Sequence, residues 1–229
     1  MSTSPALAPY ANFNSRFLEG IAPRDLRSIL AAATRRRFLA NSVVYNQGHA
    51  IHTFYLLLEG RARFFYLTPQ GHKLLGPSIL PGDIFGGAAL VMSKSCYLAS
   101  AETVKDSSVL TWDRVTMRAL VGRYPRMMDN TLSVMAGYLD WAIAAYIGLA
   151  CHSARLRLAQ ALLNLAHESG GSSRGAELDV TNEELASAAN VTPFTASRLL
   201  SEWHRRGALK KSRGKVLLRS PVLLFSREA

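Results

Sequence analysis

Short hydrophobic runs alternate with turn signals between residues 37 and 112, and this spacing predicts β-strands. The runs lie at residues 43–45, 53–58, 61–66, 73–80 and 108–112. Turns are indicated between them at Gly48, Gly60, Gly71 and Gly82. Regularly spaced short strands of this kind predict a jelly-roll barrel. A helix over residues 22–40 is predicted to lead into it.

Residues 180–209 predict two short helices joined by a tight turn. Thr181 is a good N-cap, and Glu184 three residues later completes a capping box. Asn190 falls where the turn needs a residue that tolerates left-handed dihedral angles. Thr192 can cap the second helix, and Pro193 suits its first turn because an N–H there has no helical partner. This is the pattern of a helix-turn-helix.

The second of these helices has two faces of opposite character. Its apolar residues recur at i, i+3, i+4 and i+7 and are predicted to face the core: Ala196, Leu199, Leu200 and Trp203. A polar and basic row lies opposite, and a basic hairpin after Gly207 predicts a wing. A helix of this kind suits the major groove of DNA. We therefore expect DNA contacts from Thr181, Thr192, Phe194, Thr195, Ser197, Arg198, Ser201, Arg205, Arg213 and Lys215.

The net charge of +11 is densest in the same region. Residues 198–229 contain nine Lys and Arg against two Glu. A charge run by itself is usually a solvated surface, and the run Arg35-Arg36-Arg37 is interpreted in that way. On a capped helix-turn-helix with a wing, the same excess of charge indicates contact with phosphates. Double-stranded DNA is therefore the expected partner.

From Pro125 onward the hydrophobic period becomes helical. Apolar residues alternate spacings of four and three, which is the repeat of a coiled coil. The seam consists of Met128, Leu132, Met135, Leu139, Ala142, Tyr146 and Leu149. The alternative is one amphipathic helix packed on its own barrel. Because a helix-turn-helix that reads two half-sites needs a dimer, the pattern favours an intermolecular seam and a homodimer.

Composition narrows the class of protein. The length of 229 residues suits one large domain or two small ones, and 48% hydrophobic residues is ordinary for a globular protein. No uninterrupted run approaches the ~18 apolar residues of a membrane span, and the first twenty residues lack the features of a signal peptide. We therefore expect a cytoplasmic protein with no membrane partner. Cys96 and Cys151 are far apart and form no metal motif, so no metal site is predicted.

The assembly resembles the Crp/Fnr family of transcription regulators. The barrel glycines match, as do the run Arg157-Leu158-Ala159-Gln160-Ala161-Leu162-Leu163-Asn164-Leu165-Ala166 and the order of barrel, long helix and winged helix. The resemblance implies an α+β fold with a jelly-roll sensor domain at residues 1–124, a dimerisation helix at 125–150 and a winged helix-turn-helix at 151–229. Residues 151–153 would form the hinge, and residues 168–175 a flexible link within the last domain. It also implies RNA polymerase as a partner.

The resemblance gives roles to particular residues of the recognition helix. Arg198 would pair with a guanine edge, and Thr195 and Ser197 would hold phosphate or base edges. The sequence departs from the family at Phe194, where a Glu commonly accepts a hydrogen bond from cytosine. Phe cannot accept that bond. We therefore expect a half-site that differs from that of the best-known members.

The resemblance also places an effector pocket at Gly86, Gly87, Ala88, Lys94, Tyr97 and Leu98. Gly87 stands where cyclic-nucleotide binders have a Glu, no Arg lies before Ala101, and Lys94 is the one cation of this segment. A buried phosphate without a well-placed cation is poorly stabilised. We therefore expect that the barrel does not bind cyclic AMP in the usual way, and no cofactor is predicted.

Other effectors and other classes of protein stay open. Two distant cysteines cannot hold an iron–sulfur cluster, but His72, Cys96 or His152 could ligate haem, and an unidentified small molecule is a further alternative. Cys151 is expected to be a buried, inert thiol rather than a redox switch. A cupin-like metal enzyme is another alternative, although His49 and His52 do not form its His-x-His pair. Since no other catalytic arrangement is visible, an enzyme is not expected. A DNA-independent signalling module would leave the recognition helix unexplained.

Overall fold

The computed structural model describes residues 14–71, 73–87, 96–168, 175–212 and 214–226. These residues belong to two compact units. The first combines residues 1–66 with 77–141, and the second combines residues 67–76 with 142–229.

The strands of the barrel form two four-stranded sheets. They are β1 Thr34–Phe38, β2 Val43–Tyr45, β3 Thr53–Glu59, β4 Ala62–Leu67, β5 Lys73–Ile79, β6 Ile84–Phe85, β7 Ser100–Thr103 and β8 Ser107–Asp113. The strand orders are β1-β8-β3-β6 and β2-β7-β4-β5. The predicted jelly-roll architecture is confirmed, although the two sheets do not close into one continuous barrel within the described ranges.

Strand β3 shows why both sheet faces are apolar. Phe54 and Leu56 face a cluster that also contains residues of the flanking helices, whereas Tyr55 and Leu57 face the interior between the sheets. Successive side chains of a strand point to opposite faces. A strand that is covered on both faces therefore has a continuous apolar run instead of an alternating one.

The predicted helix over residues 22–40 is wrong in its second half. Helix α1 covers only Pro23–Ala31, and Thr34–Phe38 forms the edge strand β1. This strand pairs with β8, and Arg35 donates a hydrogen bond from Nε to Ser108 Oγ at 2.8 Å. Pairing across 73 residues of sequence is invisible in a local pattern, and it overrides the helical tendency of the arginines.

Two helices follow the barrel. Helix α2 spans Arg114–Arg123. Its N-cap is Asp113, whose side chain accepts a hydrogen bond from Thr116 N. Helix α3 spans Arg126–Cys151. Its first half is attached to the barrel, because Asn130 Nδ2 donates to Phe17 O at 2.9 Å and Tyr138 Oη donates to Ile84 O at 3.1 Å. By length and composition α3 could also cross a membrane.

The second unit contains the predicted winged helix. Its elements are α4 Ala154–Glu168, β9 Glu177–Asp179, α5 Asn182–Ala189, α6 Pro193–Arg205, β10 Leu209–Ser212 and β11 Lys215–Leu218. The strands are ordered β10-β11-β9. One cluster of buried residues, centred on Trp203, holds α4, α5 and α6 together with this sheet. Residues 67–76 join the same unit, where Ser187 Oγ donates to Lys73 O at 2.8 Å.

Candidate nucleic-acid interface

The first helix of the motif and its turn have the predicted local structure. Thr181 Oγ1 accepts a hydrogen bond from Glu184 N at 3.1 Å, and Glu184 Oε2 accepts one from Thr181 N at 2.9 Å. The capping box is therefore complete. Asn190 ends the helix with φ 48° and ψ 56°, which is the left-handed region. The sequence fixes the turn locally because few residues other than Gly and Asn adopt these angles at low cost.

The second helix, α6, is fixed at its start and along one face. Thr192 Oγ1 accepts a hydrogen bond from Thr195 N at 3.1 Å, and Pro193 occupies the first turn. The four predicted core residues are all buried: Ala196, Leu199, Leu200 and Trp203. Burial of these side chains contributes roughly 1.5–3 kcal/mol for each large one. The helix is thereby held with its polar row outward.

The predicted DNA contacts lie on this outward side. Phe194 is 79% exposed, the highest value among the large apolar residues described in the second unit, and Val222 follows at 78%. The exposed predicted contacts are Thr181, Thr192, Phe194, Arg198, Ser201, Arg205 and Lys215, whereas Thr195 and Ser197 are half-buried. Arg213 lies outside the described residues. The structure thus brings the α6 residues onto one continuous surface.

The wing is an antiparallel hairpin. Strands β10 and β11 pair from Leu209 with Leu218 to Ser212 with Lys215. Lys215 Nζ lies 2.8 Å from Glu177 Oε1 and 3.5 Å from Asp179 Oδ1, and these carboxylates raise the pKa of Lys215. Strand β9, which supplies both carboxylates, had no signal in the sequence. Lys215, an expected DNA contact, is therefore engaged in a surface ion pair in the free protein.

Two arginines near the start of α4 make contacts that the sequence did not predict. Arg155 contacts Glu202 of α6, and Arg157 contacts backbone carbonyls of the turn before α6. Glu202 is only 8% exposed, and hydrogen bonds from Arg155 lower the pKa of its carboxyl group. A Glu on the flank of an otherwise apolar helix face was the signal that could have indicated a buried cationic partner.

The predicted effector pocket is only partly assembled. Gly86 has φ 74°, and a Cβ at this position would lie 2.8 Å from Thr53 O. Tyr97 is buried beside it, but Leu98 is 67% exposed and therefore does not line the interior. Gly87 is half-buried against the ring of Phe54. Ala88 and Lys94 lie outside the described residues.

Aromatic side chains fill the barrel interior next to Gly86. Tyr97 stacks on Tyr45 with ring centroids 3.8 Å apart, and Tyr55 stacks on Phe85 at 4.8 Å. The Tyr97 hydroxyl donates a hydrogen bond to Thr53 O at 3.1 Å. Burial raises the pKa of Tyr45 and of Tyr97, so both phenols stay neutral at physiological pH. Among the described residues, these aromatic side chains offer a ligand apolar surface and hydroxyl groups but no positive charge for a phosphate.

The seam of α3 is largely open in the single chain. Met128 and Met135 are half-buried, and the remaining seam residues are exposed: Leu132, Leu139, Ala142, Tyr146 and Leu149. A second stripe, one residue earlier at each step, packs on the barrel and includes Met127, Val134 and Tyr138, and the first seam residue, Met128, also packs against this barrel cluster. The helix therefore packs one stripe against its own barrel and exposes most of the other stripe to solvent.

The described His and Cys residues that were candidates for metal, haem or redox chemistry do not form a common site. Within the described ranges no group of three or more His, Cys, Asp or Glu could hold a metal ion. His152 Nδ1 lies 3.2 Å from Gln160 Oε1, and His72 falls outside those ranges. The expectation of a buried thiol at Cys151 is wrong: both cysteines are exposed and free. Cys151 lies in the exposed last turn of α3, beside Leu149 and Ala150.

Comparison with known proteins gives consistent matches. The sequence profile of the cyclic nucleotide-binding domain matches residues 35–124, and that of the Crp-like helix-turn-helix domain matches residues 156–224. The cyclic AMP receptor protein of Thermus thermophilus is 28% identical over 210 residues, which cover 92% of this chain and 95% of that protein. The CRP-like cAMP-activated global transcriptional regulator of Mycobacterium tuberculosis is 23% identical over 212 residues, with coverage of 91% and 94%.

Solved structures share the fold at lower sequence identity. The c-di-GMP responsive global regulator CLP of Xanthomonas campestris superposes with a TM-score of 0.79 at 19% identity. The match covers 86% of this chain and 99% of that chain. The similarity extends over the barrel, the long helix and the winged helix together.

Proposed function

The chain belongs to the Crp/Fnr family of transcription regulators and binds DNA through its helix-turn-helix, and we propose that it does so as a homodimer on a palindromic site. One observation carries the proposal most directly. Helix α6 is held by a cap and a buried face, and its polar row is exposed on the surface that a major groove would meet.

We propose that Arg198 makes the principal base contact, a two-hydrogen-bond pairing with a guanine edge. It is exposed on α6, one turn beyond the capped N-terminus, with Ser201 and Arg205 following on the same side. Recognition helices contact bases with their N-terminal residues, and later residues approach the phosphates. Phosphates or base edges around this contact would be held by Thr181, Thr192, Thr195, Ser197, Arg213 and Lys215.

We propose that the seam of α3 joins two copies of the chain. The support is a heptad stripe whose residues Leu132, Leu139, Tyr146 and Leu149 are exposed, whereas Met128 at its start packs on the barrel. Two copies related by a two-fold axis would place their α6 helices in successive major grooves, with half-sites about 10 base pairs apart from centre to centre. A dimer would also cover apolar surface that otherwise faces solvent.

We propose that cyclic AMP is not the effector of this protein, although relatives are named for it. The described part of the pocket is filled by neutral aromatic side chains, and the sequence of the cassette supplies only Lys94 as a cation. Another small molecule remains the second candidate, and no residue set in the described ranges favours haem. Family membership supports RNA polymerase as a partner, a cytoplasmic location and the absence of catalysis.

Selection of bound duplexes from a random pool, with the purified full-length protein, tests the proposed function. We expect recovery of palindromes whose half-sites contain a guanine read by Arg198. Arg198→Ala should lose ~1–3 kcal/mol of discrimination at that base pair. Recovery of no palindromic sequence would count against the dimer, and unchanged selectivity of Arg198→Ala in competition binding would exclude its role in reading the base.

A further inference from the structure

The first turn of α4 reaches the recognition helix through Arg155. Its Nη2 donates hydrogen bonds to both carboxylate oxygens of Glu202 at 2.6 Å. Its guanidinium carbon also lies 5.8 Å from the centroid of the Trp203 ring. Glu202 lies one turn beyond Arg198 on α6. The ion pair therefore anchors α6 next to the side chain that would read the base.

Arg157, two residues further along α4, reaches the turn that precedes α6. Its Nε donates to Ala189 O at 2.9 Å, and its Nη2 donates to Asn190 O at 3.0 Å. Its Nη1 donates to His152 O, at the break between α3 and α4, at 2.9 Å. One guanidinium thus joins the hinge to the end of α5. The carbonyls at a helix C-terminus lack helical partners, so they are strong acceptors for a cation.

The hydrogen bonds of Arg155 to Glu202 and of Arg157 to Ala189 O and His152 O are partly shielded from water, whereas the bond from Arg157 to Asn190 O is exposed. Glu202 is buried, and its side chain also approaches Arg206 Nη1 at 3.5 Å. Arg206 is held in turn by Ser226, because its Nη2 donates a hydrogen bond to the Ser226 hydroxyl at 3.0 Å. Removing one partner of a shielded ion pair leaves the other charge poorly solvated. The ion pair of Arg155 with Glu202 therefore favours one position of α6 relative to α4, because other positions would leave the carboxylate of Glu202 unpaired.

We propose that Arg155 and Arg157 are positioning residues for DNA recognition: together they fix the recognition helix and its turn to the hinge residues 152–153. Neither residue is among the expected DNA contacts. Arg155 acts through Glu202, and Arg157 acts through the carbonyls of Ala189 and Asn190. A change of backbone geometry at the hinge is thereby passed to α6 as a change of orientation. The inference rests on α6 being the helix that reads DNA.

Two variants and a matched control test this role. Arg155→Ala and Arg157→Ala remove the two contacts, and Arg118→Ala removes an exposed arginine of α2 in the other unit. Fluorescence anisotropy would measure the affinity of each full-length protein for a selected operator and for a scrambled duplex at one salt concentration. Thermal unfolding would establish that each variant is folded at the assay temperature.

We expect each positioning variant to weaken operator binding about tenfold, comparable with the loss of one well-aligned base contact. Affinity for the scrambled duplex should stay within about twofold, because non-specific binding depends on phosphate contacts that these residues do not make. Arg118→Ala should change neither affinity. A purely structural role would instead lower the folded fraction and reduce both affinities by the same factor.

Glu202→Gln provides a second route if Arg155→Ala does not fold. It keeps the shape and the acceptor oxygen but removes the charge, and it should reduce the operator-to-scrambled ratio in the same direction. The proposal is overturned if the variants retain the wild-type ratio or lose both affinities equally. If the wild-type protein itself shows no preference for any operator, the proposed function fails, and this result is distinguishable from failure of the positioning role.

Discussion

Phe194 projects into solvent from the first turn of α6, so its side chain contributes little burial to the stability of the fold. An exposed aromatic residue at the start of a recognition helix can contact a thymine methyl group but cannot accept a hydrogen bond from cytosine. We therefore propose that the residue affects which DNA sequence is read rather than whether the helix forms. Its neighbour Thr195 is held by the cap at Thr192, so a substitution at Phe194 leaves the backbone of α6 in place.

Phe194→Glu should change the selected half-site toward a cytosine at the position next to the guanine read by Arg198. The new carboxylate can accept from the cytosine amino group, which is worth about 1–3 kcal/mol of discrimination for a good contact. Selection from a random duplex pool would measure the change, with Phe194→Ala as the control that removes the ring without adding an acceptor. An identical consensus from all three proteins would contradict a base-reading position for residue 194.

Helix α3 illustrates how one element carries two stripes. Met127, Val134 and Tyr138 face the barrel, and the seam residues follow one position later, which on an α-helix is a rotation of about 100°. Leu139 is 61% exposed in the middle of the seam. The heptad pattern predicted the seam, and the contacts of the first half of the helix revealed the second stripe.

Leu139→Lys should weaken self-association by roughly 3 kcal/mol or more per dimer. Each copy would lose a buried leucine worth about 1.5–3 kcal/mol and would place a charge opposite its twin. Sedimentation equilibrium would measure the dissociation constant. Ala144→Lys, at an exposed position of α3 outside the seam, is the control. Equal association of Leu139→Lys and the wild-type protein would show that the dimer, if formed, uses another surface.

The chain combines a unit with a basic helix-turn-helix and a barrel whose described interior contains stacked aromatic side chains. We propose that a cyclic nucleotide in the described part of the pocket would have to displace stacked rings and lie beside neutral phenols. Buried anions are stabilised by cations or convergent N–H groups. The barrel therefore retains the fold of a nucleotide-binding domain while offering a different interior.

Titration calorimetry with cyclic AMP should give no saturable heat, and operator affinity should be unchanged by the nucleotide, because the aromatic residues described next to Gly86 supply no positive charge to its phosphate. A cyclic AMP receptor protein measured in parallel is the positive control. Tyr97→Ala, which removes half of the 3.8 Å stack, tests whether the filling alone excludes the ligand. Saturable micromolar binding to the wild-type protein would contradict the proposal that cyclic AMP is not its effector.

The sequence by itself determined the features that depend on neighbours along the chain. The capping box at Thr181, the left-handed Asn190, the cap at Thr192 and the two faces of α6 were all predicted, and the structure has them. These features need only a few consecutive residues, because caps and helix faces are set by hydrogen bonds and spacings within one or two turns. They were sufficient to indicate a DNA-binding helix.

Tertiary structure alone decided the features that join distant residues. Residues 34–38 form a strand because β8 pairs with them. Cys151 is exposed, and Arg155 contacts Glu202, which is 47 residues away in the sequence. The stacking of Tyr45 on Tyr97 likewise follows from the way the barrel folds. Such contacts depend on which surfaces meet, and no local pattern encodes that. Local residues set the caps and faces of the helix that we propose reads DNA, and distant contacts hold that helix in place.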